Sequence, residues 1–461
     1  MIPLSLADIA KITGAVPDLI GDPGTLADSV VIDSRKAGAG ALFAALPGER
    51  VDGHDFAGAA MAAGAVAVLG TRPAGVPALL TPDVPAALAR LARAVVDALP
   101  GLCIAGITGS VGKTTTKDLA AELVEQLGPT VAPHGSYNNE IGHPLTVLRV
   151  TEATRYLVLE LSARGAGHIA QLCEIAPPSL GVVLCVGHAH TGEFGGIEEV
   201  TRAKGELPAA LPPDGVALLN ADDPRVLAMA DRTAARVVTF GRGSNAAVRA
   251  ADVRLDGSGQ AEFTLVTPEG SAPVRLRLFG EHNVTNALAA AALARELGLP
   301  VVAAADGLCA AAPRSRWRME VTERPDGVTV INDAYNANPE GMAAAIETLA
   351  VMARGRRAFA VLGPMNELGS ESPRRHEEVG RLAARAGVAG LIVVGEDAVP
   401  MLSGARAERS WRGELLGVPD ASSAVAALGN LLAPGDVVLV KASRTVGLER
   451  VALALTGEAA Q

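Results

Sequence analysis

The sequence predicts an α/β fold in three domains: a small N-terminal α/β domain over residues 1–82, a central domain with a mostly parallel sheet over 83–312, and a C-terminal Rossmann-like domain over 313–461. Three observations carry this. Short, nearly continuous apolar runs alternate with helical spacing through the middle of the chain, as in a sheet covered on both faces. A glycine-rich turn joins one such run to a helix at 102–127. Beyond Pro313, four further strand-like runs recur between helical stretches.

In the first domain, Leu42–Leu46 reads as a strand and Phe56–Gly64 as a helical segment. Polar groups gather in Asp33-Ser34-Arg35 and in the stretch from Gly48 to Phe56, which by themselves are ordinary loops. A connecting helix is predicted from Pro85 to Leu99. The central domain follows with strands at Leu102–Ala105, Tyr156–Leu161, Leu180–Val186, Gly215–Asn220 and Val237–Phe240. In the third, strands are predicted at Val328–Asp333, Arg357–Gly363, Gly390–Gly395 and Gly435–Lys441.

The turn Thr108-Gly109-Ser110-Val111-Gly112-Lys113-Thr114-Thr115 is a phosphate cradle, which makes the central domain a P-loop ATPase domain. Its glycines let backbone N–H groups point at phosphate oxygens, and the start of the next helix adds a favourable field. Lys113 can reach the β- and γ-phosphates of ATP, and the Thr114 hydroxyl can ligate Mg²⁺. The turn is a shorter variant of the general template, whose first glycine would fall at Ile107.

A net charge of −10 without basic clusters argues against a nucleic-acid partner. The four cysteines have no metal-like or disulfide-framework spacing, and no uncharged apolar run reaches the ~18 residues of a membrane span. The N-terminus lacks a signal peptide's basic region, so a cytoplasmic protein without membrane insertion is expected. Only six of the 40 basic residues are lysines. A lysine kept in such a chain is a candidate for chemistry that arginine cannot do.

Four further groups stand where ligands collect in parallel sheets. Glu160 ends an apolar strand, where a carboxylate needs a cation or a capping role. His188 and His190 follow the next strand and could ligate a second cation or meet phosphate, although two histidines alone are also common structural groups. Lys204 could add CO₂ to become an anionic carbamate that binds hard cations, or could be a surface lysine. Asn283 and Asn286, a turn apart at a helix start, could present amides to a flat polar object such as adenine, whereas N-capping would account for one of them.

Together these motifs resemble the Mur ligases, in the same order along the chain. The closest resemblance is to members that join D-alanyl-D-alanine to UDP-N-acetylmuramoyl-tripeptide. The discriminating stretches are Asp33–Arg35, Gly48–Phe56, Tyr137–Gly142 with Pro144–Thr146, Asn332–Pro339, Val361–Gly369 and Lys441–Arg444. The resemblance implies an ATP-dependent amide ligase, expected to be a monomer, with two Mg²⁺ ions. Its catalytic groups would be Lys113, Glu160, His190 and Lys204, the last carbamylated, with Thr114, Glu160, His190 and Lys204 at the metals. Residues Thr108 to Thr115 with Asn283, Asn286, Arg318 and Asp333 would hold the nucleotide. Ser34 and Arg35 would hold the UDP end, Asn138, Asn139 and Arg164 the sugar-peptide end, and Tyr335, Asn336 and Asn338 the incoming dipeptide. Three positions depart from the family's usual residues: Leu161-Ser162 after the strand glutamate, Cys185, and Pro364. Another Mur-type ligase, adding a single amino acid or resembling folylpolyglutamate synthase, is the alternative. A P-loop kinase, a GTPase and a non-catalytic nucleotide-binding regulator are the other readings.

Overall fold

A computed structural model describes residues 1–48, 51–188 and 191–458. His190, assigned above to a metal, lies outside the described residues, as do Glu49 and Arg50 of the polar stretch Gly48–Phe56.

The first sheet has five strands in the order Val16–Asp18, Ala78–Leu80, Ala67–Gly70, Ala41–Ala44, Ser29–Val31, parallel except for the first pair. The polar stretch is braced here by His54. Its Nδ1 lies 2.6 Å from Asp52 Oδ1, and its Nε2 accepts from the Thr71 backbone at 2.9 Å. This buried imidazole is therefore satisfied within its own domain.

Helix Val84–Asp97 joins the first two sheets, as its apolar spacing predicts. Its buried residues Leu88, Leu91 and Val95 belong to one continuous core that takes in Leu42, Leu69 and Leu79 on one side and Leu157, Leu159 and Leu219 on the other.

The central sheet has nine strands. Cys103–Thr108 lies between Tyr156–Glu160 and Leu180–Val183, all parallel, so the glycine-rich turn leaves the sheet from its middle. The register sets Glu160 beside Ile107, at the same edge as the turn. One end of this sheet is an antiparallel wing, Val248–Leu255, Gln260–Thr267 and Gly270–Phe279, which the strand pattern above does not include. Its signal was alternation: Ala261, Phe263 and Leu265, then Ala272, Val274, Leu276 and Leu278, point inward between exposed or partly exposed neighbours.

Two helices pack on this sheet around the turn. The first is Lys113–Glu125, which begins at Lys113 itself because Gly112 takes the left-handed N-cap position. The second is His282–Glu296, buried almost all round through Val284, Leu288, Leu293 and six alanines of 287–294. Its small side chains let it lie close against its neighbours.

The third sheet is Glu320–Glu323, Thr329–Asn332, Val437–Lys441, Ala358–Leu362, Gly390–Val394 and Glu414–Val418, parallel after the first antiparallel pair. Alternate residues feed two cores: Ile331, Leu362, Leu391 and Leu439 on one face, Val330, Val361, Ile392 and Val438 on the other. That is the doubly wound arrangement, with two edge strands added to the four read from sequence. Among the described residues no helix is long and apolar enough to cross a membrane.

Leu123, fully buried on helix Lys113–Glu125, belongs to the core that packs against the central sheet. Leu123→Ala is expected to destabilise the protein by about 2–5 kcal/mol, read as a lower urea midpoint.

Candidate functional site

The central and third sheets meet over a cavity of about 540 Å³. Its wall takes in Ser110 to Thr115 from the turn, Asn138, Asn139, Glu160 and Arg164 from neighbouring loops, Asn283 and Asn286 from the buried helix, and Arg318, Asp333, Tyr335, Asn336 and Asn338 from the third unit. Residues read from widely separated stretches thus share one crevice.

The turn has the backbone a phosphate cradle needs. Gly109 and Gly112 have φ of 156° and 82°. A Cβ on Gly112 would lie 2.2 Å from Asn286 Oδ1, and one on Gly109 would lie 2.8 Å from Leu184 Cβ. Thr108 ties the turn to the next strand by donating to Leu161 O at 2.9 Å, and Ser110 Oγ accepts from Gly187 N at 2.8 Å. The Val111 carbonyl faces the Cys185 thiol.

Three cations converge here. Lys113 Nζ donates to Gly109 O at 2.7 Å. Burial lowers the pKa of its amine, against the pull of Glu160 and with the push of Arg318. Lys204, the last residue of helix Ile197–Lys204, is 5% exposed and has no ion-pair partner among the described residues. Burial, then the nearby Lys113 charge, pushes its amine down to about 7. Lys204 is not part of the cavity lining, but the same charges tie it to Lys113 and Cys185. Positive groups gathered out of water are stabilised by an anion between them.

Glu160 is the carboxylate at this edge, 1% exposed. Oε1 accepts from Asn138 Nδ2 at 2.6 Å, whereas Oε2 is buried without a partner. Thr114 Oγ1 lies 2.9 Å from Ser136 Oγ, and Ser136 Oγ accepts from Arg318 Nη2 at 2.8 Å. An orphaned carboxylate oxygen and a threonine hydroxyl are hard oxygen donors of the type magnesium takes.

The asparagines at the helix start are partly spent on each other. Asn286 Nδ2 donates to Asn283 Oδ1 at 2.8 Å, Asn283 Nδ2 to Phe279 O at 2.8 Å, and Thr116 Oγ1 to Asn286 Oδ1 at 3.3 Å. The pair braces the turn from behind as well as lining the cavity. Asn139 Oδ1 accepts from Gly142 N at 2.9 Å in the turn before helix Gly142–Val147, and Asn338 caps its helix by accepting from Gly341 N at 2.7 Å. Asn336 Oδ1 accepts from its neighbour Ala337 N at 2.9 Å. Asp333 accepts from Met319 N at 3.0 Å and from Lys441 Nζ, which also donates to Asn336 O at 2.8 Å.

Ser34 and Arg35 do not line this cavity. They lie in a short 3₁₀ turn capped by Asp33, whose carboxyl the Arg35 guanidinium holds down at about 2. The charge of the neighbouring Lys36 helps to depress the His134 imidazole, after Arg149, burial and Lys117. Arg164 is exposed at the cavity rim.

Some residues of the site were not assigned from sequence. Ser136 carried no signal beyond its place beside Asn138. Lys441 did: it is one of the six lysines and stands in a quoted motif. Glu340 joins the third unit to the second, accepting at Oε1 from His188 N at 2.9 Å with the ring Nδ1 2.7 Å away. It follows Asn338-Pro339, a helix start legible from sequence, but its partner lies 152 residues away.

Three family descriptions match the chain in order. The catalytic domain of the Mur ligase family covers residues 27–99, the Mur ligase middle domain 107–294, and the Mur ligase glutamate ligase domain 317–444. The chain is 49% identical to the UDP-N-acetylmuramoyl-tripeptide–D-alanyl-D-alanine ligase of Mycobacterium bovis, over 99% of this chain and 98% of that protein. It is 38% identical to the Escherichia coli enzyme of the same name, over 99% of each. Among solved structures, MurF from Acinetobacter baumannii superposes with a TM-score of 0.87 at 31% identity, covering 99% of both chains. MurF ligase from Thermotoga maritima in complex with ADP superposes at 0.78 with 30% identity, over 93% of this chain and 97% of that one.

Gly112→Ala is expected to lower ADP affinity at least about tenfold in a calorimetric titration, because the new methyl meets Asn286 where φ is already left-handed.

Proposed function

Since this chain belongs to the Mur ligase family, we propose that it is an ATP-dependent amide ligase that joins D-alanyl-D-alanine to the terminal carboxylate of UDP-N-acetylmuramoyl-tripeptide. The products are ADP, phosphate and the pentapeptide precursor of peptidoglycan. The observation that carries this reading is the full-length likeness to ligases of that name, seated on a cavity where the P-loop and third-unit motifs meet.

The reaction balances in two steps. The tripeptide's terminal carboxylate oxygen attacks the γ-phosphorus of the co-substrate ATP, the bond to ADP breaks, and an acyl phosphate forms. The deprotonated amine of D-alanyl-D-alanine then attacks the acyl carbon, and the bond to phosphate breaks after a tetrahedral intermediate. Carboxylate and triphosphate repel one another, so the first step needs positive charge fixed beforehand. Lys113 supplies it from the turn and Arg318 from the third unit, with Thr108 to Thr115 cradling the phosphates. Asn283, Asn286 and Asp333 would serve the nucleoside. Ser34 and Arg35 would take the UDP end, Asn138, Asn139 and Arg164 the sugar-peptide, and Asn336 and Asn338 the dipeptide side.

The oxygen set fits magnesium: Glu160 with its unpartnered Oε2 and the Thr114 hydroxyl would hold one ion, and Glu160, His190 and a carbamylated Lys204 are the proposed contacts for a second. Bound there, magnesium would screen the phosphate charge as a Lewis acid. Lys204 suits a carbamate because it is buried, without an ion-pair partner among the described residues, and near Lys113, and only its neutral amine adds CO₂. The third unit would exclude water from the acyl phosphate through contacts such as Glu340 to His188 and Gly192 N to Glu367 O at 3.0 Å.

With UDP-N-acetylmuramoyl-tripeptide and ATP, sustained ADP release is expected only when D-alanyl-D-alanine is added, and chelation of magnesium should stop it. Release with a single amino acid instead would favour the alternative ligase. Lys204→Ala should retain less than about 1% of activity and regain part of it with small carboxylates, as expected for a lost charge-stabilising group. Full activity in that variant would remove the carbamate. Because protonation blocks CO₂ addition, depletion of bicarbonate should inhibit more at pH 6 than at pH 8, on either side of the Lys204 value of about 7.

A further inference from the structure

Arg318 is held by an aromatic ring where Lys441 of the same cavity is held by the Asp333 carboxylate. Among the described residues no carboxylate pairs with Arg318, and its Nε is buried without a partner. Its guanidinium lies over the Tyr335 ring, with Cζ 4.2 Å from the ring centroid, while Nη2 reaches Ser136 beside Thr114. The backbone on either side is strained: Trp317 and Met319 have φ of 59° and 50°, left-handed values that a bulky residue rarely adopts. That backbone is tied to the segment carrying the tyrosine, since Tyr335 N donates to Trp317 O at 3.1 Å and Met319 N to Asp333 Oδ1 at 3.0 Å.

From this arrangement we infer that Tyr335 is a positioning residue for Arg318, presenting the guanidinium flat to a phosphate-bearing nucleotide, and is not a contact for the incoming dipeptide. The proposal rests on the reading of the cavity as an ATP site. An aromatic face attracts a planar cation without neutralising it, so the charge stays available to an anion. An aspartate in the same place would pair with the guanidinium and spend that charge internally. The strained backbone and the ring together hold a long, flexible side chain in one orientation before the ligand arrives, which lowers the entropic cost of binding. Arginine is required because lysine has no plane to stack.

The test compares Tyr335→Leu, Tyr335→Phe and Arg318→Lys in the full-length protein, by calorimetric titration with ADP and ATPγS and by steady-state KM for each substrate. Tyr335→Leu should weaken ATPγS binding about five- to thirtyfold, the range of a partly desolvated cation–π contact, with KM for D-alanyl-D-alanine within about twofold of the parent. Tyr335→Phe keeps the ring face and should restore the affinity, whereas Arg318→Lys should lose it despite its equal charge. In an Arg318→Ala background, Tyr335→Leu should have no further effect on binding, as a shared pathway requires. A rise in KM for D-alanyl-D-alanine with unchanged nucleotide affinity would overturn the inference, as would equal losses in the Phe and Leu variants or no loss in either. If the parent protein bound ATPγS but showed no turnover dependent on D-alanyl-D-alanine, the proposed reaction would fail while the role of Tyr335 would still be decided by the titrations.

Discussion

Repulsion among cations held in and beside one crevice is the constraint on which this structure depends. Lys113, Lys204 and Arg318 come from a turn, a helix end and a separate sheet, and they feel one another across a region with little water. Glu160 is the carboxylate that offsets the charge of Lys113. In a low-dielectric setting such a cluster is costly by itself, and the cost falls when an anion enters. The fold holds the cations in place through contacts unrelated to their charge: the parallel register that sets Glu160 beside the turn, the buried alanine-rich helix behind it, and the packing of the third unit in front.

The braces around the site are mostly polar and mostly internal. Asn283, Asn286 and Thr116 form a short network that fixes the back of the turn, and Asn286 occupies the space a side chain at Gly112 would need. The side chains of Asn139, in a turn, and Asn338, at a helix cap, do the same for two loops of the wall. Satisfying these groups inside the protein leaves fewer conformations for the lining, which is the physical meaning of a preorganised site. The charged groups are treated differently. Among the described residues, Glu160 and Arg318 each keep one polar atom without a protein partner, and those atoms belong to side chains that line the cavity.

Much of the fold was legible because its strands are buried on both faces and read as continuous apolar runs. The antiparallel wing at Val248–Phe279 was not, since half-exposed strands show alternation, which is weaker in a chain so rich in alanine and arginine. The edge strands Glu320–Glu323 and Glu414–Val418 are short and only partly buried, the first mostly polar and the second with a glycine inside it, so neither shows a clear apolar run. In the site, the glycines, Lys113, Thr114 and Glu160 announced themselves by residue type and place in a strand-to-helix pattern. Ser136 and Glu340 did not, because each depends on a partner far along the chain, 182 and 152 residues away, and the stacking of Tyr335 under Arg318 did not because it depends on how the chain folds back between them.

The amino-acid sequence alone determined the local conformations and the chemical inventory: a turn that only glycines can make, lysines kept in a chain that otherwise uses arginine, and a carboxylate at the end of an apolar strand. These follow from sterics and side-chain chemistry within a few residues. Tertiary structure alone decided which charges face each other, how far burial lowers the Lys204 amine, and that an aromatic ring rather than a carboxylate lies against Arg318. Those properties are set by distance and dielectric between distant segments, and neither quantity exists until the three sheets are packed together.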